Sequence, residues 1–127
     1  MAILVDEYFQ DSISNFGYTP TGLDYICAQD LLDKVNALFP DCTLRSGHRT
    51  REKTLALIAA GYRAAVGGQH EQSNAVDISD NDNQLDANLD DTLLADAQLY
   101  REAPHATPSW VHLQTVAPGS GKRTFEP

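Results

Sequence analysis

The chain is 127 residues long, 42% hydrophobic and 21% charged, a balance that allows one buried core and argues against disorder. Its formal net charge of -9 repels phosphate backbones and anionic membrane surfaces, and no compensating cluster of Lys and Arg stands out, which sets nucleic acid aside as a partner. The same charge gives no bulk attraction to an anionic polymer, so a substrate of that kind has to be gripped locally, in a cleft.

At the N-terminus, residues 1–10 carry only the short apolar run Ala2-Ile3-Leu4-Val5 and no basic leader, too little for a signal peptide or a membrane span. The expectation is a protein kept in the cytoplasm as synthesised, without a membrane partner. Over 21–39 the residues Ala28, Leu31, Leu32, Val35 and Phe39 recur at helical spacing, Thr21 with Asp24 forms a capping-box pattern, and Pro40 stops the helix. Cys42-Thr43-Leu44 reads as a short strand leading into the polar turn Ser46-Gly47-His48-Arg49. Cys27 and Cys42 have neither the number nor the spacing of a disulfide scaffold; both read as small buried hydrophobes, with a single bridge left open. A second helix is predicted over 51–60, with Thr50 as its N-cap and Gly61 just beyond its end.

Gly67-Gly68 opens a loop, and Ala75-Val76-Asp77-Ile78 reads as a strand at the edge of a site. Residues 79–91 are rich in Asp and Asn, a solvated loop entering a helix that starts at 91 or 92 and runs to Tyr100 with Leu93, Leu94, Ala97 and Leu99. Pro104 and Pro108 break the chain, 110–116 alternates as a strand, and 117–127 reads as a loosely held tail. There is no internal repeat. Helices and short strands without βαβ alternation predict a single α+β domain over 1–127, a small antiparallel sheet flanked by helices, with its core at about 20–116 and a monomer as the favoured state.

Four histidines are present, and two of them, His70 and His112, lie beside strongly patterned apolar residues. A catalytic zinc site needs three protein ligands from His nitrogen and carboxylate oxygen, with a fourth position left for water. His70, Asp77 and His112 supply that set: a loop followed by a strand folds His70 back over Asp77, and alternation puts His112 on the opposite strand face from Val111 and Leu113. The same letters also fit a solvated His70, a capping Asp77 and a hydrogen-bonded core His112.

His70-Glu71-Gln72-Ser73-Asn74-Ala75-Val76-Asp77 resembles the His-x-x-Gly-x-Ala-x-Asp motif of the zinc D-alanyl-D-alanine carboxypeptidases and peptidoglycan endopeptidases, which share their fold with the hedgehog signalling domain. Ser46-Gly47-His48-Arg49 resembles their Ser-Gly-Tyr-Arg, Ala65-Val66-Gly67-Gly68 is similar to the segment before their first zinc histidine, and Trp110-Val111-His112 matches their Trp-Val-His. The four segments keep the family's order across roughly residues 44–113. The resemblance implies Zn²⁺ on His70, Asp77 and His112, and a D-alanine-containing peptidoglycan stem peptide or cross-link as substrate. For Arg49 it implies a grip on substrate carboxylate or carbonyl groups, against the alternative of a surface Arg flanking a helix.

Three departures stand out. Ser73 replaces the motif's Gly, and His48 replaces Tyr. Ser109 occupies the position, three before the last histidine, where several branches place an acidic general base, and serine cannot take a proton from bound water at neutral pH. Gln98-Leu99-Tyr100-Arg101-Glu102 resembles a segment of a branch common among bacteriophage proteins, which points to Glu102 as the base; the alternative is a surface Glu paired with Arg101 or Lys53. His105 is a second candidate. Trp110 reads as core packing, and the acidic stretch 77–91 as a solvated loop without the glycine and terminal Glu of a calcium loop. The expectation is thus a phage-type lysis or virion-associated zinc peptidase acting on the cell wall. The alternatives are a non-catalytic zinc module or a phage structural protein on the same fold.

Overall fold

In a computed structural model, which describes residues 2–127, the first element is a helix that the sequence reading leaves out. Helix α1 (Val5–Phe16) turns Tyr8, Phe9 and Ser12 inward and closes on Gly17, whose φ of 64° is left-handed. Helix α2 (Gly22–Leu38) starts where expected, with both halves of the Thr21–Asp24 capping box formed, and buries Ala28, Leu31, Leu32 and Val35. Strand β1 (Leu44–Ser46) begins two residues later than predicted. Helix α3 (Arg51–Ala59) is capped by Thr50, whose side chain accepts from Lys53 N at 3.1 Å.

Strand β2 (Ala75–Ser79) is followed by the short helix α4 (Gln84–Asn88) and by α5 (Asp91–Ala97). The acidic stretch is built into this turn: Asp80 is buried and accepts from Leu85 N and Asp86 N, both at 2.9 Å. Helix α5 stops at Gln98, in the left-handed region, three residues short of the predicted end, and the chain enters strand β3 (Tyr100–Glu102). A 3-10 turn (Pro104–Ala106) leads to β4 (Trp110–Gln114), and the chain ends in β5 (Thr124–Phe125).

The five strands form one open sheet in the order β1-β2-β4-β3-β5. An α+β fold is as expected, but the sheet is mixed rather than antiparallel, because β5 runs parallel to β3. That pairing also corrects the loose tail: Ala103 N donates to Phe125 O at 2.7 Å and Arg101 N to Arg123 O at 2.8 Å, and Phe125 is buried. One sheet face carries Val76, Ile78, Val111 and Leu113 into a core shared with Phe9, Leu31, Leu32, Val35 and Leu94 of α1, α2 and α5. No helix among the described residues is long and apolar enough to cross a membrane. Neither cysteine is bridged; Cys42 is buried, whereas Cys27 is only half-buried.

Candidate metal centre

The other sheet face carries the predicted ligands. Asp77 of β2 and His112 of β4 are direct cross-strand partners, and strand alternation turns both away from the core that Val76, Ile78, Val111 and Leu113 fill. His70 arrives from the loop ahead of β2. The three side chains offer ligand atoms all within 4.8 Å of one another, and all three residues are buried. Asp77 Oδ1 is 3.3 Å from His70 Nε2 and 3.0 Å from His112 Nδ1.

Neighbouring acceptors determine which ring nitrogen carries the proton. His70 Nδ1 lies 2.8 Å from the Gly47 carbonyl, which can only accept, so Nδ1–H donates there and the Nε2 lone pair faces Asp77. His112 Nε2 lies 2.7 Å from Gln114 Oε1, and the amide's orientation is fixed because its Nε2 donates to Val116 O at 2.7 Å. His112 therefore donates from Nε2 and presents Nδ1 to Asp77. Two nitrogen lone pairs and one carboxylate oxygen converge on a single point, an arrangement that repels itself unless positive charge lies between them.

The field of this cluster acts on protons as well. With protons in place of an ion on the facing ring nitrogens, burial by itself would raise the Asp77 carboxyl, but positive charge at His70 and the hydrogen bond from His112 outweigh it and hold Asp77 well below the usual carboxylate range. For His112, burial works downward, and the hydrogen bond and charge of Asp77 overcome it and raise the imidazole above its ordinary value. A tetrahedral ion with bonds of about 2.0–2.2 Å keeps its ligand atoms roughly 3.3–3.6 Å apart, so this donor set fits a divalent cation after small adjustments. The second oxygen of Asp77 accepts from Arg49 Nη2 at 3.2 Å.

A cleft of about 290 Å³ opens over the centre, lined by Arg49, Arg63, His70, Asp77, Glu102 and His112 among others. Glu102 reaches it from β3, with Oε1 3.9 Å from His112 Nδ1. Its ion pair is neither of the two predicted: Arg63 Nη2 holds Oε2 at 3.1 Å. Arg101, one residue away on the strand, points to the opposite side and pairs with buried Asp86 at 3.2 Å, while Lys53 lies 3.9 Å from Asp11. Ser109 turns away from the centre, with its hydroxyl accepting from Arg45 at 3.5 Å. His105 is exposed, 2.6 Å from Glu126, and does not line the cleft. Trp110, expected as packing, is half-buried in the cleft wall beneath the Arg45 guanidinium.

The two departures in the turns have structural counterparts. Ser73 adopts φ 63°, the conformation for which glycine is suited, and its hydroxyl donates to Asp24 Oδ1 at 2.8 Å. His48 is buried, stacked on Tyr18 with ring centroids 4.6 Å apart, and sits 2.7 Å from Ser12 Oγ. Sequence reading missed Gln114, Gly47 and Arg63. Gln114 had a signal, since it follows His112 by two on one strand and shares its face; Arg63, in an irregular loop, had none.

No protein-family model matches the chain, and comparison with curated proteins and with solved structures returns no match.

Proposed function

We propose that this chain is a zinc peptidase of the hedgehog/DD-peptidase type that hydrolyses peptide bonds in bacterial peptidoglycan stem peptides or cross-links. One observation carries the reading: His70 Nε2, His112 Nδ1 and Asp77 Oδ1 face one another at the floor of an open cleft, each histidine's other nitrogen already engaged. The order of the four motif-like segments in the sequence supports zinc and a peptidoglycan substrate in particular. An ion held there supplies Lewis-acid chemistry, acidifying a water and polarising a carbonyl.

The chain's own groups have the remaining work. Glu102, at the edge of the centre, is the carboxylate that accepts the proton from the attacking water and returns it to the departing amine. Arg49, anchored by Ser46 Oγ at 3.2 Å and Asp77 Oδ2 at 3.2 Å, presents its remaining guanidinium donors to a substrate carboxylate or carbonyl. Gln114 and the Gly47 carbonyl hold the imidazoles in register.

The test is hydrolysis of purified peptidoglycan and cross-linked muropeptides, with and without a chelator, beside Glu102→Gln. Turnover abolished by chelation and lowered about 10²–10⁴-fold in Glu102→Gln is the expected result. Zinc bound at one per chain with no turnover on any wall substrate would instead favour a non-catalytic zinc module, which the occupation of Glu102 by Arg63 also suits. Full activity in Glu102→Gln would remove Glu102 as the base.

A further inference from the structure

Past Arg49 the cleft continues into a second lobe of about 430 Å³, and the two lobes share Arg49, Arg63, Asp77 and Trp110 as a common wall. Four of the chain's nine Lys and Arg residues line this second lobe: Arg45, Arg49, Lys53 and Arg63. Three acids line it too, Glu7, Asp11 and Asp77, and Arg63 is held by Glu102 from the first lobe, so four cations meet four carboxylates on a chain whose net charge is -9. A charge-balanced hollow in so acidic a surface is a place where an anion meets less repulsion than elsewhere.

The cations are not equivalent. Arg49 is on Asp77, Arg63 is on Glu102, and Lys53 lies 3.9 Å from Asp11. Arg45 has no carboxylate partner among the described residues. Its guanidinium lies over the Trp110 ring, 4.5 Å from the centroid, with one contact to Ser109 Oγ at 3.5 Å. Stacking on an indole restrains the long side chain while leaving most of its in-plane donors open, which lowers the entropy lost when a planar carboxylate docks on the fork. An exposed arginine restrained in this way beside a cavity has the form of a binding group rather than of a structural ion pair.

We propose that this second lobe is a carboxylate-binding subsite, in which Arg45 held on Trp110 receives a carboxylate of a peptide ligand. That the peptide is also the substrate rests on the proposed function; the binding itself does not. Arg63 is the second arm: an incoming carboxylate competes with Glu102 for its guanidinium and, by taking it, releases Glu102 toward the centre.

Trp110 is the only tryptophan in the chain, so its fluorescence reports on this lobe directly. The probes are acetyl-Ala-Glu-Ala with both carboxylates free, and acetyl-Ala-Gln-Ala-amide, titrated into wild type and Arg45→Gln, each metal-free and zinc-loaded. In both metal states, wild type should bind the diacid about tenfold more tightly than the amide, and Arg45→Gln should reduce that preference to about twofold or less. Arg45 is exposed, so the substitution leaves the fold intact. Equal affinity for the two peptides, no binding of either at millimolar concentration, or an unchanged preference in Arg45→Gln would overturn the subsite. A protein that takes up no zinc but keeps the diacid preference retains the subsite and loses the metallopeptidase reading; zinc uptake without the preference does the reverse.

Discussion

Gln114 decides which nitrogen of His112 carries the proton. Its side-chain oxygen accepts from His112 Nε2 while its amide donates to Val116 O, so rotating or removing the amide frees the ring to present the wrong tautomer. Gln114→Leu should therefore weaken zinc binding about 10–100-fold, measured by competition with a chelating dye, whereas Gln114→Glu, which keeps the acceptor for His112 and loses the donor to Val116 O, should lose less affinity. Equal losses in the two variants would mean that Gln114 acts only through packing. The candidate trio was legible at this scale chiefly because the motif-like segments converge on His70, Asp77 and His112; residue type and spacing by themselves are weak signals. Gln114 was passed over because a neutral amide carries no signal of its own; only strand alternation two residues from His112 marks it. For Glu102 the sequence located the residue but not its partner, since Arg63 lies 39 positions away.

Among the elements, the turn between β1 and α3 places the most. The Gly47 carbonyl fixes His70, and a Cβ at Gly47 would meet Tyr8 O at 2.3 Å, a contact no side chain can make without moving α1 or the turn. Gly47→Ala should destabilise the fold by about 3 kcal/mol in urea unfolding and lower zinc affinity with it. Gly22→Ala at the start of α2, where a Cβ meets nothing within 4 Å, should change stability by less than about 0.5 kcal/mol. If Gly47→Ala behaves like Gly22→Ala, the turn does not position the centre. Helices α2 and α3 were readable from their caps and apolar spacing. Helix α1 carried an apolar stripe of Val5, Tyr8, Phe9, Ile13 and Phe16 at helical spacing, but Leu4 at its N-cap offers no side-chain cap to mark where it starts. Strands β3 and β5 have three and two residues, too few for a period of two to show, and β5 is held by backbone bonds that leave no mark on side-chain pattern.

For the molecule as a whole, the sheet order β1-β2-β4-β3-β5 brings segments from 44 to 125 in the chain onto one face, and this long-range pairing is what composition cannot show. The net charge led to the expectation of a local grip in a cleft, and Arg45, Arg49, Lys53 and Arg63, interrupted in sequence by Glu52, line one lobe together with Glu7, Asp11 and Asp77. The fold gathers His70, Asp77 and His112 into one group that could hold a cation, with both imidazoles held by neighbours before any ion arrives. Calorimetric titration of zinc into the metal-free chain, beside Asp77→Asn, reads out whether it does. One zinc per chain in wild type, and loss of that stoichiometric step in Asp77→Asn, is the expected result. Absence of stoichiometric uptake by wild type, or uptake by Asp77→Asn with the same affinity, would contradict it.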